Sequence, residues 1–159
     1  MKFITYFFSV FVLCCYSFGA PEEEEDRVYE RFYDNGQLQI RGMFIAGEME
    51  GVWEDFHENG QLRTRGTYIV GRKTGPWELF YSNGQMQGRG TLQAGRQQGL
   101  EERYYESGQL LSRGTFKDGQ FDGLWEAFYS NGKLISRTTY RDGKQAGSGE
   151  YFDLVPISF

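Results

Sequence analysis

One short pattern recurs along most of the chain at a fixed interval. A glycine occupies the same place in the pattern every 24 residues, with no insertion between copies, at Gly36, Gly60, Gly84, Gly108 and Gly132. Apolar runs lie on both sides of this glycine, and an Asn usually precedes it. A constant period in this range is the signature of tandem repeats. The repeat therefore constrains the fold more than any local motif does.

Each copy predicts a β-hairpin. An Asn-Gly pair between apolar runs favours a two-residue type I′ turn, in which both central residues take positive φ. With Asn59 and Gly60 at the turn centre, Trp53 lies opposite Gly66 and His57 lies opposite Leu62.

The same register places a glutamate opposite an arginine in every copy. Opposite charges directly across a strand pair contribute about 0.2–1 kcal/mol each, so we interpret the pairs as a structural ladder. The ladder pairs are Glu30 with Arg41, Glu54 with Arg65, Glu78 with Arg89, Glu102 with Arg113, and Glu126 with Arg137.

A second turn, clearest at Asp118-Gly119, joins one hairpin to the next. Its register places Phe116 opposite Phe121 and Gly114 opposite Gly123, and it requires no bulge. The predicted fold is all-β: an elongated, single-layer antiparallel meander of tandem 24-residue β-hairpin repeats over residues 28–153. Five units at about 4.8 Å per strand would extend about 50 Å.

The register also predicts two different faces. The face that we call the indole face carries tryptophans and tyrosines, and glycines such as Gly42, Gly51, Gly66 and Gly75 form hollows for the indoles. The other, the ladder face, carries the Glu–Arg pairs beside a Phe row. Aromatic rows either pack against their neighbours or form a ligand platform. The candidate binding aromatics are Trp53, Trp77, Trp125, Tyr81, Tyr105 and Tyr129.

The two ends of the chain differ from the repeats. Residues 1–20 predict an export signal, because Lys2 precedes an apolar run and small residues precede Ala20. Both cysteines, Cys14 and Cys15, fall inside it, and lipidation of Cys15 is an alternative to ordinary cleavage. Residues 21–27 form an acidic linker, and residues 154–159 an apolar tail that covers the last hairpin or pairs with another chain. The chain is then exported to the periplasm, secreted or anchored in the envelope.

The composition excludes several functions. The formal net charge of -5 argues against nucleic acid and, more weakly, against anionic lipid. We predict no enzyme, no catalytic residues, no metal site and no cofactor. The single histidine, His57, takes the place that tyrosine holds in other copies, and no nucleophile accompanies it. Five equivalent Glu–Arg pairs favour structure over catalysis, since each arginine keeps its carboxylate ionised.

The unit Gly-x-Trp-Glu-x-Phe-Tyr-x-Asn-Gly-Gln-Leu-x-x-Arg-Gly-Thr-Tyr-x-x-Gly resembles the bacterial variant of the MORN repeat, in the YwqK-type antitoxin-like family. The resemblance covers residues 27–153, with departures at Glu101 for Trp, Ser107 for Asn and Thr138 for Gly. It implies an elongated antiparallel sheet that contacts proteins or, in some MORN proteins, membranes.

We therefore predict a non-enzymatic, exported scaffold that binds a protein partner in the cell envelope. The alternatives are an antitoxin-like partner of a toxin, which requires residues 1–20 to be retained, and an envelope lipid- or glycan-binding module, which requires an exposed aromatic row. Oligomers could form through edge strands, and membrane contact is expected only through lipidation or weak surface binding.

Overall fold

The computed structural model describes residues 26–152, which form one open antiparallel sheet. The predicted export signal with Cys14 and Cys15, most of the acidic linker and the apolar tail lie outside the described residues. Neighbouring strands in the sheet follow the order of the chain, so the sheet is a meander as the repeat predicts. The described part of the chain contains no helix, and therefore none that could span a membrane.

Fourteen strands make up the sheet. Each of the five hairpins has two long strands, and in the fourth and fifth hairpins the first of these is divided into two shorter ones. Three of the fourteen, β7, β10 and β13, are two-residue pieces that precede a break in the first strand of a hairpin. The strands are β1 (Arg27–Phe32), β2 (Leu38–Ile45), β3 (Glu48–Phe56), β4 (Leu62–Ile69), β5 (Arg72–Phe80), β6 (Met86–Gln93), β7 (Arg96–Gln97), β8 (Gly99–Tyr104), β9 (Leu110–Lys117), β10 (Gln120–Phe121), β11 (Gly123–Phe128), β12 (Leu134–Arg141), β13 (Lys144–Gln145) and β14 (Glu150–Tyr151).

The turn at Asn-Gly is not the predicted type I′ turn. The amide of Gly60 donates to the carbonyl of His57, and the amide of His57 donates to the carbonyl of Gln61. Only Gly60 has positive φ, at +81°, so this is a three-residue loop with a glycine bulge. The bulge shifts the register, and Leu62 pairs with Phe56. The predicted pairing of His57 with Leu62 is therefore wrong, because the loop is one residue longer than an Asn-Gly turn.

Type I′ geometry appears instead at the other turn of each repeat. The two central residues of every such turn have positive φ, for example 50° at Asp118 and 81° at Gly119. As predicted, Phe116 lies opposite Phe121 across this turn. The non-glycine residue is Asp in two copies, but it is Ala46, Val70 or Ala94 in the others. Residues without a turn preference therefore occupy a strained conformation here.

A two-residue bulge lies between neighbouring repeats, where we predicted none. Between the second and third repeats, Thr67 of β4 pairs with Thr74 of β5, but Gly66 pairs with Trp77. Gly75 and Pro76 therefore have no partners on β4. The predicted pairing of Gly114 with Gly123 is wrong for the same reason, because the register of β9 changes by two residues before Arg113 reaches Glu126. A shift of two residues preserves which face each side chain occupies.

The sheet has no second layer within residues 26–152. Among residues 26–152 only two apolar side chains are buried, Trp53 and Trp77. The other apolar side chains there are half-buried or exposed, as expected for a single-layer sheet whose side chains pack only on their neighbours along one face.

Candidate interaction surfaces

The Glu–Arg ladder crosses the ladder face in aligned pairs, of which Glu54–Arg65 and Glu126–Arg137 form salt bridges within their hairpins. All five predicted pairs lie directly opposite each other in the hairpins. The salt bridges extend further, since Glu54 accepts from Arg41 of the preceding repeat at 2.6 Å and from Arg65 of its own hairpin at 2.9 Å. Glu126 is held in the same way by Arg113 at 2.8 Å and Arg137 at 3.2 Å. The ladder therefore joins repeats as well as the two strands of a hairpin.

The pKa values of Glu54 and Glu126 show that these two ladder carboxylates stay ionised. Burial raises the pKa of Glu54, but the hydrogen bonds and charges of Arg41 and Arg65 outweigh it and hold that pKa below its usual value. For Glu126 the hydrogen bond from Arg113 is the largest influence, and it lowers the pKa against the effect of burial. An ionised, arginine-bound carboxylate has the opposite properties to a general acid. The arrangement supports a structural role.

The arginines are the exposed half of the ladder. The side chain of Arg41 is 52% exposed while that of its partner Glu54 is 10% exposed. Arg41 also lies over the ring of Phe56, with 5.5 Å from Cζ to the ring centroid, and Arg113 lies similarly over Phe128. The ladder face therefore presents guanidinium edges to solvent, while its carboxylates lie beneath them.

A row of exposed aliphatic residues runs beside the arginines. We call it the aliphatic row: Val28, Val52, Pro76, Leu100 and Leu124, which are 24 residues apart. Val28 is 69% exposed, and even Leu124 is 45% exposed. From Val52 onward, each member is the second residue of a two-residue bulge, and bulges re-aim side chains. The sequence prediction did not single out this row, although strand alternation alone places it on the ladder face; the signal was an aliphatic residue two positions before each ladder glutamate.

The indole face is largely closed by its own side chains. Trp53 packs on Tyr29, Phe44 and Tyr68, with ring centroids 5.1–6.2 Å apart. Gly42 and Gly114 lie under the indoles of Trp53 and Trp125, where an added Cβ would overlap the ring. Gly51 and Gly75 were predicted to form the same hollows, but nothing lies on them because they belong to the bulges. Trp53 and Trp77 are buried and offer little ring surface to a ligand.

The tyrosines of the candidate binding set connect neighbouring repeats. The hydroxyl of Tyr81 donates to the carbonyl of Tyr104 at 2.8 Å, and Tyr105 donates to Phe128 in the same way. The Nε2 atom of His57 lies 3.0 Å from the carbonyl of Phe80, so the histidine replaces a tyrosine at this contact. Asn59 likewise donates from Nδ2 to the carbonyl of Ser82. We call these side-chain contacts to the next repeat struts.

Within residues 26–152, no group of three or more His, Cys, Asp or Glu side chains is placed to hold a metal ion.

Two comparisons with known proteins bear on the repeats. A family model described as a MORN repeat variant matches the chain five times in tandem, at residues 28–46, 49–69, 73–94, 97–118 and 121–142. Each match covers one hairpin, and successive matches are separated by two or three residues at the type I′ turn between hairpins. The comparison with curated proteins found no match.

Proposed function

The chain belongs to the MORN repeat variant family, and we propose that it is a non-enzymatic scaffold that binds a partner protein across its ladder face. The aliphatic row carries the proposal. Exposed aliphatic side chains recur at the same place in five units, two strands apart, with threonines on the strands between them from Val52 onward. Exposed apolar side chains aligned in this way are of the kind that marks protein contacts.

The residues beside the row indicate the chemistry of the partner. Arginine is enriched at protein interfaces, and here five arginines expose guanidinium edges along the whole strip. A partner surface in which apolar side chains alternate with carboxylates complements this pattern. The net charge of -5 opposes approach to an anionic bilayer, but the arginines of this face attract anions, so the lipid alternative is tested separately.

Affinity capture from the native cell envelope tests the proposal. We expect a tagged chain to retain a partner that is lost when Val52, Leu100 and Leu124 are all replaced by Ser. Val70→Ser is the matched control, because Val70 is 67% exposed but lies in a turn outside the row. Capture of the same proteins in equal amount by the triple variant would contradict the proposal.

The lipid-binding alternative has its own test. Sedimentation with vesicles of phosphatidylglycerol and phosphatidylethanolamine should leave the chain in the supernatant if the partner is a protein. Sedimentation that depends on the aliphatic row would favour the lipid alternative. A glycan platform receives less support, because such a site stacks sugars on exposed rings and both Trp53 and Trp77 are buried.

Export is part of the same proposal. The apolar run and small residues of the first 20 positions support it. Mass spectrometry of the protein isolated from its native cells should find a chain that begins at Ala20, or a lipidated chain that begins at Cys15. A chain that retains residues 1–20 in the cytoplasm would favour the antitoxin-like alternative.

A further inference from the structure

The indole face is interrupted in its middle. Aromatic rings form one cluster around Trp53 and another around Trp125, where Phe116, Phe121 and Tyr140 pack together. Between them, Glu101 stands at the tryptophan position and Leu92 at a position that is aromatic in the other four repeats. Lys73 and Gln97 add polar side chains on the same face, at a position that is apolar in Met49 and Phe121 and polar again in Gln145. The two departures from the repeat, Glu101 and Leu92, lie on the same face as these polar residues. We call this region the polar gap.

The missing indole changes the neighbouring packing. Trp53 and Trp125 each lie on the glycine of the preceding repeat, Gly42 and Gly114 respectively. Trp77 instead lies on Gly90 of its own hairpin, where an added Cβ would be 2.8 Å from Cζ2 of the indole. No tryptophan from the fourth repeat occupies Gly90, so Trp77 covers it.

Glu101 is buried and holds two side chains in place. It is 7% exposed, accepts a hydrogen bond from Nε of Arg103 at 2.8 Å, and accepts another from Nε2 of Gln97. Arg103 also lies over the ring of Trp77, with 5.0 Å from Cζ to the ring centroid. Glu101 is therefore a positioning residue for the guanidinium group.

A cavity of about 520 Å³ opens at the polar gap. Its apolar walls are Trp77, Leu79 and Leu92, and its cations are Lys73, Arg96 and Arg103. Of these three cations, only Arg103 forms a salt bridge to a residue within 26–152, and its partner is Glu101. The charges of Lys73 and Arg96 are therefore not neutralised by salt bridges within those residues. The depression is open to solvent, and apolar walls with a few charges beside them are the kind of lining that ligand sites have.

We propose that this cavity binds a carboxylate joined to a short apolar group. The cations receive the carboxylate, and Leu79 and Leu92 receive the apolar part beside Trp77, which is itself only 6% exposed. The carboxylate could belong to a free acid or to a peptide, and both sources present the same chemistry. The site lies on the face opposite the aliphatic row and does not depend on the scaffold role.

Nuclear magnetic resonance titration of the full ¹⁵N-labelled chain tests the site. The probes are 4-methylpentanoate, the peptide acetyl-Gly-Gly-Leu with a free carboxylate, and its neutral amide. We expect a saturable shift of the Trp77 indole signal with at least one carboxylate, and binding of the amide at least about 5-fold weaker, because the ion pairs are lost. Binding of both acids identifies any apolar carboxylate as sufficient, and binding of the peptide alone identifies a peptide source.

Three variants identify where the probe binds. Lys73→Gln should weaken carboxylate binding about 5-fold. Lys117→Gln makes the same charge change on the exposed ladder face and should leave the affinity unchanged. Glu101→Trp restores the repeat pattern, keeps the fold and should abolish binding by filling the gap. The proposal is overturned if no probe binds, if the amide binds as well as the acid, if inorganic phosphate alone binds, or if Glu101→Trp retains binding.

Discussion

At the scale of single residues, backbone strain is concentrated in the type I′ turns. Val70 has φ of +47° although it is β-branched, and such residues are outliers in the left-handed region. Its side chain is 67% exposed, so it gains little from packing in compensation. The amide of Val70 donates to Glu50, which ties the turn to the preceding repeat.

Val70→Asn should therefore stabilise the protein. Asn tolerates left-handed φ, and relief of the strain should raise the free energy of unfolding by about 1 kcal/mol. Chemical denaturation measures the change. Ile69→Asn is the control, because Ile69 is also exposed but has ordinary φ, and it should give no stabilisation. An unchanged or lowered stability for Val70→Asn would show that the turn carries no relievable strain.

The glycines under the indoles have a clear exception. Thr138 stands at the position of Gly114 in the fifth repeat, and it is 8% exposed. The residue at the tryptophan position of the following half-repeat is Gly149, where an added Cβ would be 2.8 Å from the Thr138 hydroxyl. A side chain is tolerated at this position only where no indole covers it.

Gly114→Ala should destabilise the protein by about 1–3 kcal/mol, the usual cost of overpacking. The new Cβ would overlap the indole of Trp125, and the ring would lose its contact with the backbone. Thermal unfolding followed by tryptophan fluorescence reports both effects. Thr138→Ala removes atoms at the equivalent position without an indole and should change stability less. Equal stability of Gly114→Ala and the parent would contradict this packing.

At the scale of elements, each hairpin is joined to the next by struts as well as by strand pairing. The strut from Tyr81 spans 23 residues and ends on a backbone carbonyl. Loss of one such hydrogen bond costs about 1 kcal/mol. Tyr81→Phe should therefore lower the free energy of unfolding by that amount in chemical denaturation. Tyr129, whose hydroxyl makes no such bond to residues 26–152, provides Tyr129→Phe as a near-neutral control. Equal effects of the two substitutions would show that the hydrogen bond of Tyr81 does not stabilise the contact between repeats.

The ladder makes stability depend on pH. The folded-state pKa values of Glu54, Glu102 and Glu126 lie below the usual glutamate value, so protonation favours the unfolded chain. The stabilisation is complete above about pH 4.3, the value of an unperturbed glutamate, and is lost as the pH falls through the lower folded-state values.

Glu126→Gln should reduce this dependence. Denaturation at a series of pH values should show a parent curve that falls below about pH 4.3, and a shallower fall in the variant. The variant should also be less stable at neutral pH, since Arg113 loses its charged partner and Arg137 loses the nearer of its two, keeping only Glu150 at 4.0 Å. Glu30→Gln is the control, because Glu30 forms no salt bridge within residues 26–152. Parallel curves for Glu126→Gln and the parent would contradict the ladder interpretation.

The sequence predicted the elements better than their connections. The 24-residue period and the opposite charges determine which strands pair, and Glu54 does lie opposite Arg65. The turn type could not be derived from Asn-Gly alone, because the pair also suits a three-residue loop with a bulge. The two-residue bulges preserve the faces, so no feature of the alternation indicates them. The aliphatic row was missed as a surface, whereas the loss of Trp at Glu101 is visible in the sequence as a gap in the tryptophan row, and only the cavity beside it was not predicted.

At the scale of the whole molecule, the described chain is one sheet without a second layer. Each repeat contacts only its neighbours, so stability is the sum of repeat and interface contributions. Such an array can present two independent faces: one closed by indoles and interrupted at the polar gap, and one that exposes arginines and the aliphatic row. The regular 24-residue spacing of the aliphatic row on the second face underlies the proposed scaffold role.

The spacing of the aliphatic row can be measured directly with pairs of spin labels on cysteines, after Cys14 and Cys15 are replaced by Ser. Labels at positions 52 and 100, 28 and 100, and 28 and 124 are two, three and four repeats apart. Electron–electron double resonance should give distances of about 20, 30 and 40 Å, since each repeat adds two strands. Distances that do not increase with the number of repeats would contradict the open array and, with it, the proposed binding surface.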